Sequence, residues 1–244
     1  MNAVTELGPG VFAAFTQRYD GGVSSAPFDT LNLGMGVPDD PGAVAENRRI
    51  AAARLGFDHD RVVWMDQVHS ADVAVAEKPG DAGRVDAVVT TRTDLVLAAL
   101  AADCLLILAA DPEAGVIGAA HSGRLGTANG VAAALVARMV QHGAVPGRIA
   151  AALGPSICGH CYEVPPDMQA EIARAIPQAA SRTRNGTTGI DIRAAVAAQL
   201  RAADIGHITV DERCTLESPE LFSHRRDATT GRFAGYIWRP GRQG

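Results

Sequence analysis

Short apolar runs predict a series of β-strands in the first half of the chain. The runs cover residues 10–18, 61–68, 72–77, 85–90, 95–101, 105–110 and 115–120, and most of them are rich in Val, Ile or Leu. Several runs are apolar at consecutive positions rather than at every second one. A strand of that kind is buried on both faces. The pattern therefore predicts sheets that are covered on each side, either by helices or by another sheet.

Apolar residues at helical spacing predict four helices, most of them later in the chain. The helix in PGAVAENRRIAAARLG begins after Asp40, an N-cap residue with Pro41 in the first turn, and ends at Gly56. The others are predicted in TANGVAAALVARMVQHG, beginning near Thr127, in PPDMQAEIARAI, and in DIRAAVAAQLRAADIG, which Asp191 caps. The polar, Gly-rich stretch YDGGVSSAPFDTLNLG predicts an irregular segment.

Strands predicted in RIAAAL, HITVDE and FAGYIW complete an order of elements that is strand-rich first and mixed later. This order favours a layered α/β (α+β) fold over a regular Rossmann alternation. The sequence contains no internal repeat and no linker long enough to divide it. We therefore expect a single domain spanning residues 1–244.

The composition narrows the class of protein without naming a function. The apolar fraction of 47% is normal for a globular domain, and the net charge of −5 gives no basic footprint, so we expect no nucleic-acid partner. The most apolar stretch, residues 95–110, is interrupted by Asp103 and is too short to predict a membrane span. Four cysteines are too few for a disulfide scaffold, and the N-terminus does not resemble a signal peptide. We expect a cytoplasmic protein with reduced thiols.

Three residues with metal-binding side chains lie near the ends of predicted strands. His69 follows VVWMDQV, Cys104 lies between the runs LVLAALA and LLILAA, and His121 follows GVIGAA. Two imidazoles and a thiolate suit Zn²⁺, or copper less specifically, and three ligands leave one tetrahedral position for water or substrate. Without further context, a cysteine inside an apolar run is more often a core residue.

A second cysteine motif, CGHC at residues 158–161, is typical of a thiol oxidoreductase or of half a zinc site. A redox motif opens a helix after a strand, whereas Pro165 and Pro166 follow closely here and predict a loop. A structural zinc site needs two more ligands; Cys214 is available, but the sequence has no second CxxC. We interpret these cysteines as free thiols.

Six blocks of the sequence, in their order and spacing, resemble the laccase-domain family. The blocks are FTQRYDGGVSSAPFDTLNLGMGVPDDPGAVAENRR, DQVHS, DAVVTT, AADCLLILAADPEAGVIGAAHSGRLGTANGV, LGPSICGHCYEV and CTLESPELFSHRRDATTGRFAGYIW. Proteins of this family have been called multicopper polyphenol oxidases and purine nucleoside phosphorylases. The resemblance runs from about Phe15 to Trp238, nearly the whole chain.

This resemblance implies both a fold and an activity. The implied fold has two β-sheets sandwiched between helix layers, with a zinc-type site, or one for copper, formed by His69, Cys104 and His121. The implied activity is phosphorolysis of adenosine, inosine and S-methyl-5′-thioadenosine to the free base and a ribose 1-phosphate. Adenosine deamination is implied as a companion reaction. The expected partners are therefore a purine nucleoside and phosphate.

Several further residues are predicted to act around this site. Asp103, next to Cys104, is expected to orient a ligand or to act as a general base; we favour the first role, because neighbouring strand residues point to opposite faces. Phosphate requires cationic or N–H donors. Arg48, Arg124 and the N-terminus of the helix predicted near Thr127 are the candidates.

One block departs from the family pattern. The family commonly has His-Ala-Gly-Trp-Arg-Gly where residues 121–126 of this chain read HSGRLG. The aromatic residue is absent and the arginine has moved one position, to Arg124. We expect this change to alter how a substrate is oriented beside residues 121–126.

Other functions would use the same residues. A copper-dependent polyphenol oxidase is disfavoured, because seven histidines without an HxH pair do not supply the ligands that a multicopper enzyme needs. A Cys-His hydrolase acting on an amide of a cell-wall precursor would use Cys104 as nucleophile and His121 as base. A binding module with a structural metal is the non-enzymatic alternative.

Overall fold

A computed structural model describes residues 4–240 of the chain. Its strands are β1 (Thr5–Glu6), β2 (Phe12–Phe15), β3 (Val62–Trp64), β4 (Val73–Val75), β5 (Gly80–Asp81), β6 (Ala87–Thr90), β7 (Val96–Ala101), β8 (Leu105–Asp111), β9 (Val116–Ser122), β10 (Ala150–Leu153), β11 (Ala180–Arg182), β12 (Thr188–Ile190), β13 (His207–Val210) and β14 (Phe233–Trp238). Its α-helices are α1 (Pro41–Leu55), α2 (Arg124–Ala128), α3 (Val131–Gln141), α4 (Pro166–Ala175), α5 (Ile192–Ala202) and α6 (His224–Asp227).

Two six-stranded sheets form the centre of the structure. The first sheet has the order β1-β2-β14-β7-β3-β5, and the second has the order β13-β10-β8-β9-β6-β4. A separate hairpin pairs β11 with β12. Buried apolar clusters lie between α1 and the first sheet, between the two sheets, and between the second sheet and helices α3 and α5. The order of layers is helix, sheet, sheet, helix, which confirms the predicted layered α/β fold.

Strand β8 explains why the apolar runs are continuous. Leu105 and Ile107 belong to the core shared with the helices, whereas Leu106 and Leu108 belong to the core between the sheets. All four side chains are fully buried. Because each sheet has helices on one face and the other sheet on the opposite face, both alternating sets of side chains must be apolar. The prediction of sheets covered on both sides is confirmed.

Helix α1 organises the irregular segment that precedes it. Its predicted boundaries are confirmed: the Asp40 carboxylate accepts a hydrogen bond from the Ala43 N–H at 2.7 Å, and Gly56 ends the helix in the left-handed conformation. Asn47 is fully buried on this helix. Its side-chain amide donates to the Asn32 carbonyl at 2.9 Å and accepts from the Val23 N–H at 2.7 Å. A segment without regular structure is thus held by side-chain hydrogen bonds.

Two predicted elements differ in the structure. The strand predicted over 61–68 ends at Trp64, and the Gln67 side chain then pairs with both the N–H and the carbonyl of Leu100, each at 2.8 Å. The helix predicted from near Thr127 is two helices, because Gly130 has φ of 81° and interrupts it between α2 and α3. Strand β5 and the β11–β12 hairpin were not predicted, since they lie on short polar segments without an apolar repeat.

No helix within residues 4–240 combines the length and apolar character needed to cross a bilayer.

Helix α3 packs closely on β9 because Gly118, which has no side chain, lies opposite the large side chain of Leu135. A Cβ at Gly118 would lie 2.8 Å from Leu135 Cδ1, so the missing side chain allows the helix to approach the sheet. Leu135→Ala is expected to lower the free energy of unfolding by about 2–5 kcal/mol, because it leaves a cavity at a fully buried position. Urea denaturation measures this loss. Val140→Ala on the exposed side of the same helix is the control and should change stability by less than about 0.5 kcal/mol; equal losses would contradict this packing.

Candidate metal centre

Three side chains converge where the chain passes from one sheet to the other. His69 lies in the connection from β3 in the first sheet to β4 in the second, and Cys104 lies in the tight turn from β7 to β8. His121 is on β9, where it pairs with Leu106 of β8. The potential ligand atoms of the three residues lie within 4.8 Å of one another. The structure therefore brings together the residues that the sequence singled out.

The distances within the cluster suit a shared cation. Cys104 Sγ is 3.9 Å from His69 Nε2, and the ring centroids of His69 and His121 are 4.8 Å apart in an edge-to-face arrangement. A Cβ on Gly123 would lie 2.6 Å from the His69 ring and 2.9 Å from Cys104 Sγ. The absence of a side chain at this position keeps one side of the cluster open. Two imidazoles and one thiol with an open side fit a zinc-type site with three protein ligands.

The backbone reaches this geometry through two left-handed residues. His69 has φ of 63° and Asp103, next to Cys104, has φ of 93°. Non-glycine residues rarely adopt positive φ, although His and Asp do so more often than most. The conformation is retained because other contacts over-determine it, and it turns both ligand-bearing loops toward the cluster.

Asp86 holds two of the three ligand segments in place. Its carboxylate is fully buried, and Oδ1 lies 2.8 Å from His121 Nδ1. Oδ2 accepts hydrogen bonds from the N–H groups of Val68 and Ser70, at 3.1 Å and 2.6 Å, on either side of His69. With Nδ1 engaged, His121 presents Nε2 to the cluster. Sequence reasoning did not single out Asp86, although it begins the DAVVTT block.

The electrostatics of the cluster favour a charged thiolate. Burial disfavours that form, but the neighbouring His121 and His69 outweigh the effect of burial and lower the pKa of the Cys104 thiol to about 6. Burial likewise disfavours the imidazolium of His121, yet the Cys104 thiolate and the Asp86 carboxylate raise the pKa of His121 to about 9. Both shifts favour a thiolate–imidazolium pair between Cys104 and His121. Because a metal-bound histidine is neutral, a metal ion held by these residues would compete with the proton on His121.

Asp103 faces away from the cluster. Its carboxylate accepts a hydrogen bond from the Thr215 hydroxyl at 2.6 Å and another from the Arg225 N–H at 2.7 Å. The residue lies in a turn and not in a strand, so the alternation of strand side chains is not the reason for its orientation. These contacts tie the turn that carries Cys104 to the C-terminal part of the chain. The geometry makes Asp103 a positioning residue.

A cavity of about 440 Å³ opens onto the three ligands. This volume is in the range of small-molecule sites. Arg232 and His224 contribute to its wall. Burial lowers the pKa of Arg232, while the nearby charges of Cys104 and Asp103 act in the opposite direction. Arg232 was not predicted as an anion-binding group, although it lies in the last family block, within GRFAGYIW.

The predicted phosphate-binding arginines are not among the residues that line this cavity. Arg48 donates from Nε to the Leu33 carbonyl at 3.0 Å, and its guanidinium lies 3.7 Å from the centre of the Trp64 ring. Neither Arg48 nor Arg124, the first residue of α2, is among the residues that line the cavity. The predicted helix start near Thr127 was wrong, because the N–H of this residue already donates to the Gly123 carbonyl inside α2.

The CGHC motif lies in a loop, as predicted, but it is not isolated. Cys158, Cys161, Cys214 and Glu217 have potential ligand atoms within 4.8 Å of one another. None of the four cysteines, all of which lie within residues 4–240, forms a disulfide. Burial and the neighbouring Cys158 and Cys214 sulfurs raise the pKa of Cys161 to about 12. The sequence pointed to Cys214 but gave no signal for Glu217.

The comparison of the chain with known proteins agrees with the metal-binding character of the cluster formed by His69, Cys104 and His121, called the first cluster below. Residues 12–240 match the family described as multi-copper polyphenol oxidoreductase laccase. The chain belongs to this family. Purine nucleoside phosphorylase ORF3 of Streptomyces griseus is 54% identical over 229 residues, which cover 92% of this chain and 93% of the relative. Purine nucleoside phosphorylase of Deinococcus radiodurans is 45% identical and covers 95% of this chain and 90% of its own.

Solved structures in the same family have the same fold. The crystal structure of YlmD from Geobacillus stearothermophilus superimposes with a TM-score of 0.89 at 35% identity, covering 95% of this chain and 93% of that one. Protein NMB0706 of Neisseria meningitidis gives a TM-score of 0.87 at 33% identity, covering 98% of each chain. The family predicted from the six sequence blocks is confirmed, as is its layered architecture.

Asp86 provides a test of how the ligand set is supported. Asp86→Asn is expected to weaken zinc binding by about 10- to 100-fold, because the neutral amide no longer stabilises the orientation and charge of His121. Competition with a chromophoric chelator measures the affinity. Asp72→Asn, which changes an exposed carboxylate in the loop that carries His69, is the control and should bind zinc as the wild type does. Unchanged affinity in Asp86→Asn would contradict this role.

The thiolate of Cys104 can be measured in metal-free protein. Since its pKa is lowered to about 6, the reactive form is present above that pH and is lost as the pH falls through it. Alkylation by iodoacetamide, followed by peptide mass spectrometry, should rise to a plateau above about pH 7. Cys161 is the internal control, because its raised pKa keeps it protonated over the same range. A midpoint for Cys104 near the ordinary thiol value of about 8.5 would contradict the assignment.

Proposed function

We propose that this protein is a zinc-dependent purine nucleoside phosphorylase. The observation that carries the proposal is the cluster of His69, Cys104 and His121, which opens onto a cavity of about 440 Å³ that Arg232 also lines. The names of close relatives give the substrate class, a purine nucleoside with phosphate. The proposed substrates are adenosine, inosine and S-methyl-5′-thioadenosine.

The reaction places clear demands on the site. A phosphate oxygen forms a bond to the anomeric carbon of the ribose while the bond from that carbon to the purine nitrogen breaks. The electron pair leaves with the base, which takes up the proton that the attacking phosphate gives up, and the other product is a ribose 1-phosphate. Positive charge develops on the sugar and negative charge on the base in the transition state. Catalysis therefore requires an oriented anion and a stabilised leaving group.

The chain supplies groups for these tasks. Arg232, in the cavity wall, is the proposed cationic donor to phosphate, a role that guanidinium groups perform well. Asp86 fixes the orientation of His121, and Asp103 fixes the turn of Cys104. When held by His69, Cys104 and His121, a zinc ion would supply Lewis-acid polarisation, and in the proposed companion deamination of adenosine it would lower the pKa of a water molecule.

One observation favours a second candidate, a Cys-His hydrolase. Cys104, His121 and Asp86 are linked in series, with the pKa of the thiol lowered and that of the imidazole raised. This is the arrangement of a thiol nucleophile, its base and the group that orients the base. Such an enzyme would act on an amide and would need no metal. The copper oxidase alternative has no comparable support, since the cluster contains two histidines only.

Product analysis distinguishes these functions. Zinc-loaded protein incubated with adenosine, inosine or methylthioadenosine should release free base and ribose 1-phosphate only when phosphate is present. Cys104→Ala should lose at least about 100-fold in rate, because it removes a zinc ligand and the transition-state stabilisation that depends on it. Chromatography of the bases and a phosphate-consumption assay measure the outcome. Base release that does not depend on phosphate would contradict the proposal.

Two further measurements test the roles of Arg232 and of zinc. Arg232→Gln should raise the KM for phosphate more than the KM for the nucleoside, whereas Arg92→Gln, an exposed arginine, should change neither. Removal of zinc by a chelator should abolish phosphorolysis and zinc should restore it. Phosphorolysis that persists in chelator would contradict the zinc dependence, whereas hydrolysis of an amide substrate in chelator that is lost in Cys104→Ala would favour the hydrolase.

A further inference from the structure

A second group of metal-binding side chains lies outside the proposed active site. Cys158 and Cys161 lie on a turn after β10, in which the N–H groups of Cys161 and Tyr162 both donate to the Cys158 carbonyl at 2.9 Å. Cys214 follows β13 in the chain, and Glu217 lies one turn beyond it. One potential ligand atom from each cysteine and from Glu217 lies within 4.8 Å of all the others.

This donor set matches one kind of ion. Sulfur atoms on a tetrahedral zinc are about 3.8 Å apart, given a Zn–S distance of about 2.3 Å. Small side-chain movements would bring a set that already lies within 4.8 Å to that spacing. Thiolates select zinc over hard cations such as Mg²⁺ or Ca²⁺, and a carboxylate oxygen is an accepted fourth ligand.

We propose that Cys158, Cys161, Cys214 and Glu217 form a second zinc site with a structural role. A structural site has four protein ligands and no open position, whereas the cluster around His69 has three. The two sites therefore differ in chemistry as well as in place. The second site extends beyond the proposed phosphorylase activity and does not depend on it.

The backbone around the second site is already fixed. The Cys158 N–H donates to Cys214 Sγ at 3.4 Å, a contact that stabilises a thiolate. Ser156 and Cys214 form a β-bridge, which joins the two ligand-bearing segments directly before the CGHC turn. Because these contacts already hold the two segments together, metal binding has to order little more of the chain and loses little conformational entropy.

Glu217 also has a partner that orients it. Its carboxylate forms a salt bridge with Arg184 through Oε1. A carboxylate can accept an ion pair at one oxygen and coordinate a metal with the other, and such outer partners commonly fix the orientation of ligands. We therefore assign Arg184 as the residue that positions Glu217.

The second site is connected by hydrogen bonds to the turn that carries Cys104. The N–H of Ile157, next to Cys158, donates to the Asp103 carbonyl at 2.9 Å. Thr215, next to Cys214, donates its hydroxyl to the Asp103 carboxylate at 2.6 Å. A zinc ion that joins the two segments would hold both donors in place. Its loss should reduce thermal stability and loosen the turn of Cys104.

Metal counting tests the proposal. Protein purified without chelators should contain about one more zinc ion per chain than the Cys161→Ser variant, as measured by inductively coupled plasma mass spectrometry. His160→Ala is the matched control, because His160 lies inside the motif with an exposed side chain and is not part of the cluster; it should keep the wild-type zinc content. The difference is counted between variants, so it does not depend on whether the His69 cluster holds metal or on any phosphorylase activity.

Two measurements keep the test valid if Cys161→Ser folds poorly. Cobalt added to Cys104→Ala, in which the first cluster is disabled, should bind with a near-ultraviolet thiolate-to-cobalt charge-transfer band. In the wild type, chelation should speed alkylation of Cys158 and Cys161, and added zinc should reverse the effect. Equal zinc in wild type and Cys161→Ser, thiols that react equally with and without chelator, or an intact mass two hydrogens lower that reveals a disulfide would each overturn the proposal.

Discussion

The hydrogen bonds of the buried Asp86 carboxylate are the interaction on which the candidate metal centre depends. One oxygen meets His121 on β9, and the other accepts two backbone N–H groups from the loop that carries His69. A carboxylate with no exposure is costly unless all of its hydrogen bonds are made. The same bonds that offset this cost lock the two histidines into one geometry. The hydrogen bonds of Asp86 therefore both stabilise the fold and order the site.

The position of the cluster follows from the stacking of two sheets. Several connections pass between the sheets, and two of them, the turn from β7 to β8 and the connection from β3 to β4, each carry a candidate ligand. The turn from β7 to β8 must be tight, because both strands are almost entirely buried and only residues 102–104 lie between them. Positive φ at His69 and Asp103 and the absent side chain of Gly123 are the local consequences.

The proposed second zinc site would stabilise the turn that carries Cys104. Asp103 receives hydrogen bonds from residues adjacent to Cys158 and Cys214, so the turn that carries Cys104 is connected to both clusters. The two clusters differ in chemistry. In the first, two histidines favour a thiolate on Cys104 beside a cavity; in the second, three thiols and a carboxylate provide four potential ligands for one ion.

The sequence alone determined most of the helices and strands, the layered class, the family and the three residues of the first cluster. Doubly buried runs such as 105–110, and capping residues such as Asp40, carry that information locally. The sequence pattern missed Asp86, Arg232 and Glu217, because an acidic or basic residue near the end of an element looks like a solvated side chain until its neighbours are known. Only the tertiary structure showed that Arg48 stacks on Trp64 and that Arg232 lines the cavity. Periodicity records how each residue relates to its neighbours in sequence, whereas a site is made by contacts between residues far apart in the chain.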